Sequence, residues 1–246
     1  MNILNPDPSS ISFSLIPGFG LTNTMYSSLD IYENARGIEI EPKLTWEHNL
    51  EYISGQLDVP TIVIGYSQGA RLAIGTAIEY PENILGLIII SGNAGIENDH
   101  QRKERCEQDI ELSNKILKQC DKNGNIRNEF WDSFDNNKIF DQDNQEVENL
   151  LKESRINESH ILVEQLMNLS QGVMPNYNER ISELKVPIMF CSGIRDEKYS
   201  VIARSLKKKT AFSHHILFDS DHRIPLQTPN NLSISIEWFA NNIANI

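Results

Sequence analysis

A serine, an aspartate and a histidine in this sequence are spaced so that together they could activate a hydroxyl group. Ser67 lies in the pattern G-x-S-x-G, written GYSQG at positions 65–69, and Asp196 and His222 follow it in that order. An imidazole that accepts the serine proton, held by an acid that fixes its tautomer, makes the serine oxygen a base or a nucleophile. Glu197, next to Asp196, is an alternative for the acid. These residues predict general-base or nucleophilic chemistry at Ser67.

The elements around these residues predict how they are positioned. A run of apolar or β-branched residues over 61–64 leads directly into the G-x-S-x-G turn, and an Ala/Leu-rich helical stretch follows. This strand–turn–helix context holds a serine hydroxyl over the end of a sheet. Asp196 and His222 come after two later strand candidates, 186–191 and 214–218. We therefore predict an α/β protein with the α/β-hydrolase fold, in which helices flank a mostly parallel central sheet.

A glycine-containing loop near the N-terminus could complete the site. A β-like run over 11–16 ends at PGFG, positions 17–20. In this fold a loop after an early strand supplies half of an oxyanion hole. The backbone N–H groups of Phe19 and Gln68 are the predicted donors. A plain turn is the alternative for this loop, and a short strand is predicted next, over 37–41.

The composition changes after 84–90, a continuous apolar run that predicts a buried parallel strand. The residues that follow are polar, and their apolar side chains recur at helical spacing. This pattern indicates a helical insertion rather than more sheet. We predict a core made of 1–96 and 181–246, with a helical lid over 97–180.

The bulk properties narrow the class of protein. The chain has 246 residues and a formal net charge of −12, which argues against a nucleic-acid or anionic-membrane surface. The apolar run 84–90 is too short to span a bilayer, and the N-terminal ten residues show no secretory pattern. The three cysteines, without metal-like spacing, suggest reduced thiols. A cytoplasmic enzyme without a metal or cofactor is expected, and its oligomeric state is left open.

Four segments resemble one particular enzyme family. GYSQGARLA, positions 65–73, resembles the GYSxGGRxA motif of the 2-succinyl-6-hydroxy-2,4-cyclohexadiene-1-carboxylate synthases of menaquinone and phylloquinone biosynthesis. Positions 88–109 are similar to that family's strand, ESGxPGL loop and charged E-x-x-x-R helix. Positions 192–206 are similar to its GExDxKFxxIAxxL, and His222 with Pro229 to its GHxxHxExP.

The resemblance implies a lyase that uses the triad without hydrolysis. Ser67 would remove a proton α to the succinyl ketone of 2-succinyl-5-enolpyruvyl-6-hydroxy-3-cyclohexene-1-carboxylate, and a 2,5-elimination would expel pyruvate. His222 would accept the proton of Ser67, and Asp196 would orient His222. Phe19 and Gln68 would stabilise the enolate through their backbone N–H groups.

A substrate with three carboxylates requires several guanidinium groups in its pocket. Arg71 lies four residues after Ser67, so it can face the same side of the helix, and it matches the family's arginine. Arg105 matches the arginine of the lid helix, and Arg155 is a third candidate. Tyr66 matches the family's tyrosine before the serine. A solvated surface side chain is the alternative for each arginine.

The chain departs from the family pattern at the pocket wall. Pro17 replaces the histidine of the oxyanion loop, and the family's DxPGHG segment is absent. The lid motif F-x3-W-x3-P-x-F reads Phe130, Phe134, Lys138 and Phe140, and Phe134 is the substrate-contact candidate. Two alternatives therefore stay open. One is a serine hydrolase of the same fold acting on small esters, thioesters or C–C bonds, and the other is a non-catalytic binding descendant.

Overall fold

Six parallel strands form the centre of the protein in a computed structural model, which describes residues 11–140 and 144–243. The strand order is β2-β1-β3-β4-β5-β6, and every neighbouring pair is parallel. The N-terminal ten residues, for which no secretory signal is predicted, lie outside the described residues. The strands are β1 Ser12–Ile16, β2 Arg36–Gly37, β3 Thr61–Tyr66, β4 Ile84–Ile90, β5 Ile188–Gly193 and β6 Ser213–Phe218.

Alternate residues of the central strands pack into two apolar layers, one on each face of the sheet. Val63 of β3 joins the layer that contains α1, α2 and α7, which are Trp46–Ser54, Gln68–Glu79 and Glu197–Lys209. Ile62 and Ile64 join the opposite layer, which contains α8 and α9, Ile224–Gln227 and Pro229–Asn242. Burial on both faces explains why the central strands are apolar without alternation.

The strand predicted over 37–41 is wrong in its extent. Only Arg36 and Gly37 pair with β1, opposite Ser14 and Leu15. β1 ends at Ile16, where the chain turns away into the loop 17–20. Residues beyond position 38 therefore have no part of β1 beside them. They do not continue the strand, because a strand needs a neighbour for its backbone hydrogen bonds.

Among the described residues, four helices lie between β4 and β5, and three of them share a small apolar cluster. Ile116, Phe130, Trp131, Leu162 and Leu166 form the centre of that cluster. Phe19 of the loop after β1 packs against it, which brings these helices over the carboxyl ends of the strands. The division at 97–180 stays a prediction. The helices are α3 Asp99–Lys118, α4 Asn128–Asp135, α5 Gln145–Ser154 and α6 Ser159–Leu169.

Within the described part of the chain, we find no helix with the length and apolar character needed to cross a membrane.

Candidate active site

Ser67 occupies a strained turn between β3 and α2. Its φ of 52° and ψ of −104° lie in a region that residues with a side chain rarely adopt. The turn is tight because backbone approaches backbone on both sides. A Cβ on Gly65 would lie 2.5 Å from the carbonyl oxygen of Gly69, and one on Gly69 would lie 2.2 Å from that of Ile16. Glycines at these two positions allow the turn that presents the Ser67 hydroxyl.

We expect Gly69→Ala to lower the free energy of unfolding by about 3 kcal/mol, because its Cβ would overlap a backbone oxygen that cannot move aside. Gly55→Ala is the matched control. A Cβ there meets its nearest atoms at 3.6 Å, so a change of less than about 1 kcal/mol is expected. Urea-induced unfolding of both variants measures the difference, and equal stabilities would contradict the close approach.

The three predicted catalytic side chains are in contact. His222 Nε2 lies 3.1 Å from Ser67 Oγ, and His222 Nδ1 lies 2.6 Å from Asp196 Oδ2. The N–H at Nδ1 donates to the carboxylate, which leaves Nε2 to accept the hydroxyl proton of Ser67. Asp196 is buried at the N-terminus of α7, where its Oδ1 accepts a hydrogen bond from the N–H of Tyr199. Glu197 is exposed, so Asp196 is the acid that contacts the imidazole.

Backbone contacts also hold the loop that carries His222. The hydroxyl of Ser91, at the end of β4, donates to the carbonyl oxygen of His222 at 3.1 Å. The N–H of His222 donates to the carbonyl oxygen of Ile139, which follows α4, at 3.3 Å. The rings of Tyr199 and Tyr66 lie 4.6 and 5.5 Å from the imidazole, between centroids. The orientation of His222 thus depends on both the sheet and the insertion helices.

Phe19 and Gln68, whose backbone N–H groups are the predicted oxyanion donors, line one cavity together with Ser67. Within residues 11–140 and 144–243, neither the N–H of Phe19 nor that of Gln68 donates a hydrogen bond to a backbone or side-chain acceptor. Gln68 is the first residue of α2, where the helix dipole favours negative charge. The loop that carries Phe19 is held by α6, because the N–H of Gly20 donates to Gln165 Oε1 at 3.0 Å. The arrangement suits a developing oxyanion.

A cavity of about 320 Å³ opens over Ser67 and is lined by every predicted site residue except Asp196, which lies behind His222. Phe134 contributes to its aromatic wall, with its ring centroid 5.9 Å from that of Phe19. Tyr66 also lines the cavity, and burial raises the pKa of its phenol well above the usual value. The Tyr66 hydroxyl therefore stays protonated and can donate a hydrogen bond to a ligand.

Arg71 is a buried cation without a carboxylate partner. Its exposed fraction is 5%, and its Nη1 donates to the carbonyl oxygen of Leu169 at 3.2 Å. No carboxylate of the described residues forms an ion pair with it. Burial lowers the pKa of the guanidinium to about 10, because removal from water disfavours the charged form. A buried, uncompensated charge is costly unless a ligand neutralises it.

The other two predicted arginines reach the cavity but are already paired. Arg105 binds Asp109 one helical turn along α3, with Nε 2.9 Å from both carboxylate oxygens. Arg155 contacts Asp135, the last residue of α4, and its guanidinium lies over the ring of Trp131 at 4.6 Å. The sequence analysis singled out neither aspartate. Asp109 lies four residues after Arg105 on the same helix, whereas the contact between Asp135 and Arg155 depends on how the helices pack together.

Arg223 is a cavity residue that the sequence analysis missed. It follows His222 directly, and its Nη2 lies 2.6 Å from Asp135 Oδ1. Its guanidinium stacks on the ring of Phe140 at 3.8 Å. An arginine next to a candidate catalytic histidine was the available signal, but the sequence did not show that this side chain faces the cavity.

Comparisons with known proteins agree with the predicted resemblance. No protein-family model matches the chain. A protein of Bacillus subtilis named a putative 2-succinyl-6-hydroxy-2,4-cyclohexadiene-1-carboxylate synthase is 26% identical over 186 residues, which cover 74% of this chain and 66% of that relative. The structure of MenH from S. aureus superimposes with a TM-score of 0.84, at 20% identity, and the match covers 96% of this chain and 95% of that one.

An esterase of Thermogutta terrifontis superimposes less closely, with a TM-score of 0.69 at 15% identity over 95% of this chain and 90% of that one. The fold is thus common to enzymes with different activities. The predicted resemblance is confirmed: the chain has the α/β-hydrolase fold and is similar in sequence to proteins named 2-succinyl-6-hydroxy-2,4-cyclohexadiene-1-carboxylate synthase.

Proposed function

We propose that this protein is a lyase that eliminates pyruvate from 2-succinyl-5-enolpyruvyl-6-hydroxy-3-cyclohexene-1-carboxylate, giving 2-succinyl-6-hydroxy-2,4-cyclohexadiene-1-carboxylate. One observation carries the proposal beyond the similarity of sequence. The buried guanidinium of Arg71, which has no carboxylate partner among the described residues, lines the same cavity as Ser67. A pocket for small neutral esters has no need of such a charge, whereas a carboxylate of the substrate would neutralise it.

The proposed step uses Ser67 as a general base. His222 Nε2 accepts the hydroxyl proton, and Ser67 Oγ takes the proton from C2, which is α to the succinyl ketone. The electrons of the C2–H bond first form the enolate of the succinyl ketone. As the enolate returns to the ketone, these electrons form C2=C3, those of C3=C4 move to C4=C5, and the C5–O bond breaks. The leaving group is the enolate of pyruvate, and the proton held by His222 balances its charge. The N–H groups of Phe19 and Gln68 would stabilise the enolate oxygen of the succinyl group.

The charges along the cavity support a polyanionic ligand. In the described part of the chain, four arginines line it, together with Asp109 and Asp135. Two carboxylates leave an excess of positive charge, although the chain as a whole carries −12. The positive charge is therefore concentrated at this site, as recognition of carboxylates requires.

A serine hydrolase is the second candidate, and the aromatic wall of the cavity favours it. Phe19, Phe134 and Phe140 present apolar surface that would suit the acyl or alcohol part of an ester. The contact between Ser67 and His222 would serve acyl transfer equally well. The two candidates differ in the fate of Ser67. In a hydrolase Ser67 becomes acylated during turnover, whereas in the lyase it is never acylated.

Pyruvate release from the enolpyruvyl substrate, beside a panel of nitrophenyl esters, tests the proposal. We expect release of one pyruvate per substrate, with slow or no ester turnover. Chemical breakdown of the substrate without protein sets the background. Fast ester turnover without pyruvate release would overturn the lyase and support the hydrolase.

Several further predictions remain part of this proposal. They are a cytoplasmic site of action, a role in menaquinone or phylloquinone synthesis, and the absence of a cofactor. The expected lack of nucleic-acid and membrane partners is also a prediction.

A further inference from the structure

We propose that Arg155 and Arg223 together bind one carboxylate of the substrate, and that Asp135 is an internal carboxylate that this group displaces. The proposal deepens the proposed function and rests on it, because it assigns a subsite for one of the substrate's acidic groups. Arg155 was a candidate from the sequence, whereas Asp135 and Arg223 were not. The three side chains line the same cavity as Ser67.

Asp135 is bound as a ligand carboxylate would be. Its Oδ1 lies 2.6 Å from Nη2 of Arg223, and its Oδ2 contacts Nη2 of Arg155. Each carboxylate oxygen thus has its own guanidinium. This use of both oxygens is typical of carboxylate recognition by arginine.

Burial differs between the two sides of this contact. The side chains of Arg223 and Arg155 are only 4% and 10% exposed, whereas that of Asp135 is 29% exposed. The guanidinium groups also have supports other than the aspartate, because Arg155 lies on Trp131 and Arg223 on Phe140. The arginines can therefore keep their places when Asp135 moves toward solvent.

Two buried N–H donors belong to Arg155 and to Trp131, the ring on which its guanidinium lies. Neither Nε of Arg155 nor Nε1 of Trp131 has a hydrogen-bond partner within the described residues. Buried donors are rarely left unsatisfied, because their lost hydration costs free energy. Arg155 contacts Asp135 and Trp131 lies under the Arg155 guanidinium, so this part of the protein has hydrogen-bond donors that Asp135 leaves unused.

The subsite complements Arg71. Arg71 follows Ser67 by one turn of α2, and Arg223 follows His222 in the chain. Each of the two residues that share the reacting proton thus has a guanidinium close to it along the chain. Carboxylates held at both places would fix the substrate against the Ser67–His222 pair.

Pyruvate is the probe for this subsite, because a single small carboxylate can reach it without spanning the cavity. Its dissociation constant is measured from the rise of the thermal midpoint with pyruvate concentration, at constant ionic strength. In Asp135→Asn the internal competitor loses its charge, so we expect pyruvate to bind about tenfold more tightly than in the wild type. Asp132→Asn, an exposed change on the same helix, should leave the affinity unchanged.

Further variants test whether the tighter binding of pyruvate in Asp135→Asn depends on Arg223 or on Arg71. Asp135→Glu keeps the internal carboxylate and should retain wild-type affinity. Addition of Arg223→Gln to Asp135→Asn should abolish the gain, whereas addition of Arg71→Met should not. Should Asp135→Asn fold poorly, Asp135→Ser removes the same carboxylate and carries the same expectation.

Two results would overturn the subsite: no tightening in either variant that lacks the carboxylate, or tightening that persists after Arg223→Gln. The measurement needs no turnover. Its failure is therefore distinct from failure of the proposed lyase reaction, which the release of pyruvate from the enolpyruvyl substrate decides.

Discussion

Ser67→Ala will lower kcat for pyruvate release by about a thousandfold or more, with a small change in KM. The substitution removes the oxygen that would take the C2 proton, while the arginines that would bind the substrate remain. Loss of a general base or of a triad member costs about 10²–10⁴ or more in rate. The strained φ of 52° is unchanged, because alanine and serine both carry a Cβ. The folded structure should therefore survive.

Steady-state assays of pyruvate release measure this effect. Ser182→Ala is the control, because Ser182 is exposed and, among the described residues, its hydroxyl bonds only to the carbonyl oxygen of Glu179. The intact mass of the wild-type protein during turnover adds a second measurement, because an acyl adduct on the protein would show that Ser67 acts as a nucleophile rather than as a base. Retention of more than about a tenth of the wild-type kcat in Ser67→Ala would exclude Ser67 as the base.

Arg71→Met will lower the activity without lowering the stability of the folded protein. We expect kcat/KM to fall by about a hundredfold or more, since a buried charge-assisted hydrogen bond to the substrate is lost. We expect the free energy of unfolding to stay the same or to rise. Burial lowers the pKa of Arg71 to about 10, so the charged form is destabilised on the order of 3 kcal/mol in the folded protein. Methionine has a similar length and no charge to desolvate.

The lowered pKa of Arg71 also determines how the free energy of unfolding depends on pH. The folded protein holds the Arg71 proton less tightly than the unfolded chain does. The destabilisation of the folded protein by the buried charge of Arg71 is therefore fully present at neutral pH. It is relieved only as the pH rises through about 10. Between pH 6 and 8 the stability difference between wild type and Arg71→Met should stay constant.

Urea unfolding and steady-state kinetics of the same preparations test this separation. Arg204→Met, on an exposed part of α7, is the control, and we expect it to change neither quantity appreciably. A strong loss of stability in Arg71→Met, with kcat/KM intact, would make Arg71 a structural residue and would remove the main support for a polyanionic substrate.

Local sequence determined the parts of this protein that depend on near neighbours in the chain. The apolar run that became β4 has the predicted bounds, Ile84–Ile90, because burial on both faces demands a continuous apolar strand. Ser67 between Gly65 and Gly69 predicted the turn, since only glycine allows such close backbone approach. Asp196 and His222 were predictable because each follows a strand, and parallel strands end at one edge of the sheet.

Tertiary structure alone decided which charges meet at the cavity. Asp135 contacts Arg155 and Arg223, twenty and 88 positions away, and neither spacing carries a local signal. The pairing depends on how α4 and α5 pack over the sheet, and that packing is set by apolar contacts elsewhere, such as those of Phe130. The sequence thus determined that the side chains of Ser67, His222 and Asp196 come into contact, and it determined the turn that carries Ser67. The neutralisation of Arg155 and Arg223 by Asp135, and the lack of a carboxylate partner for Arg71 among the described residues, followed only from the folded chain.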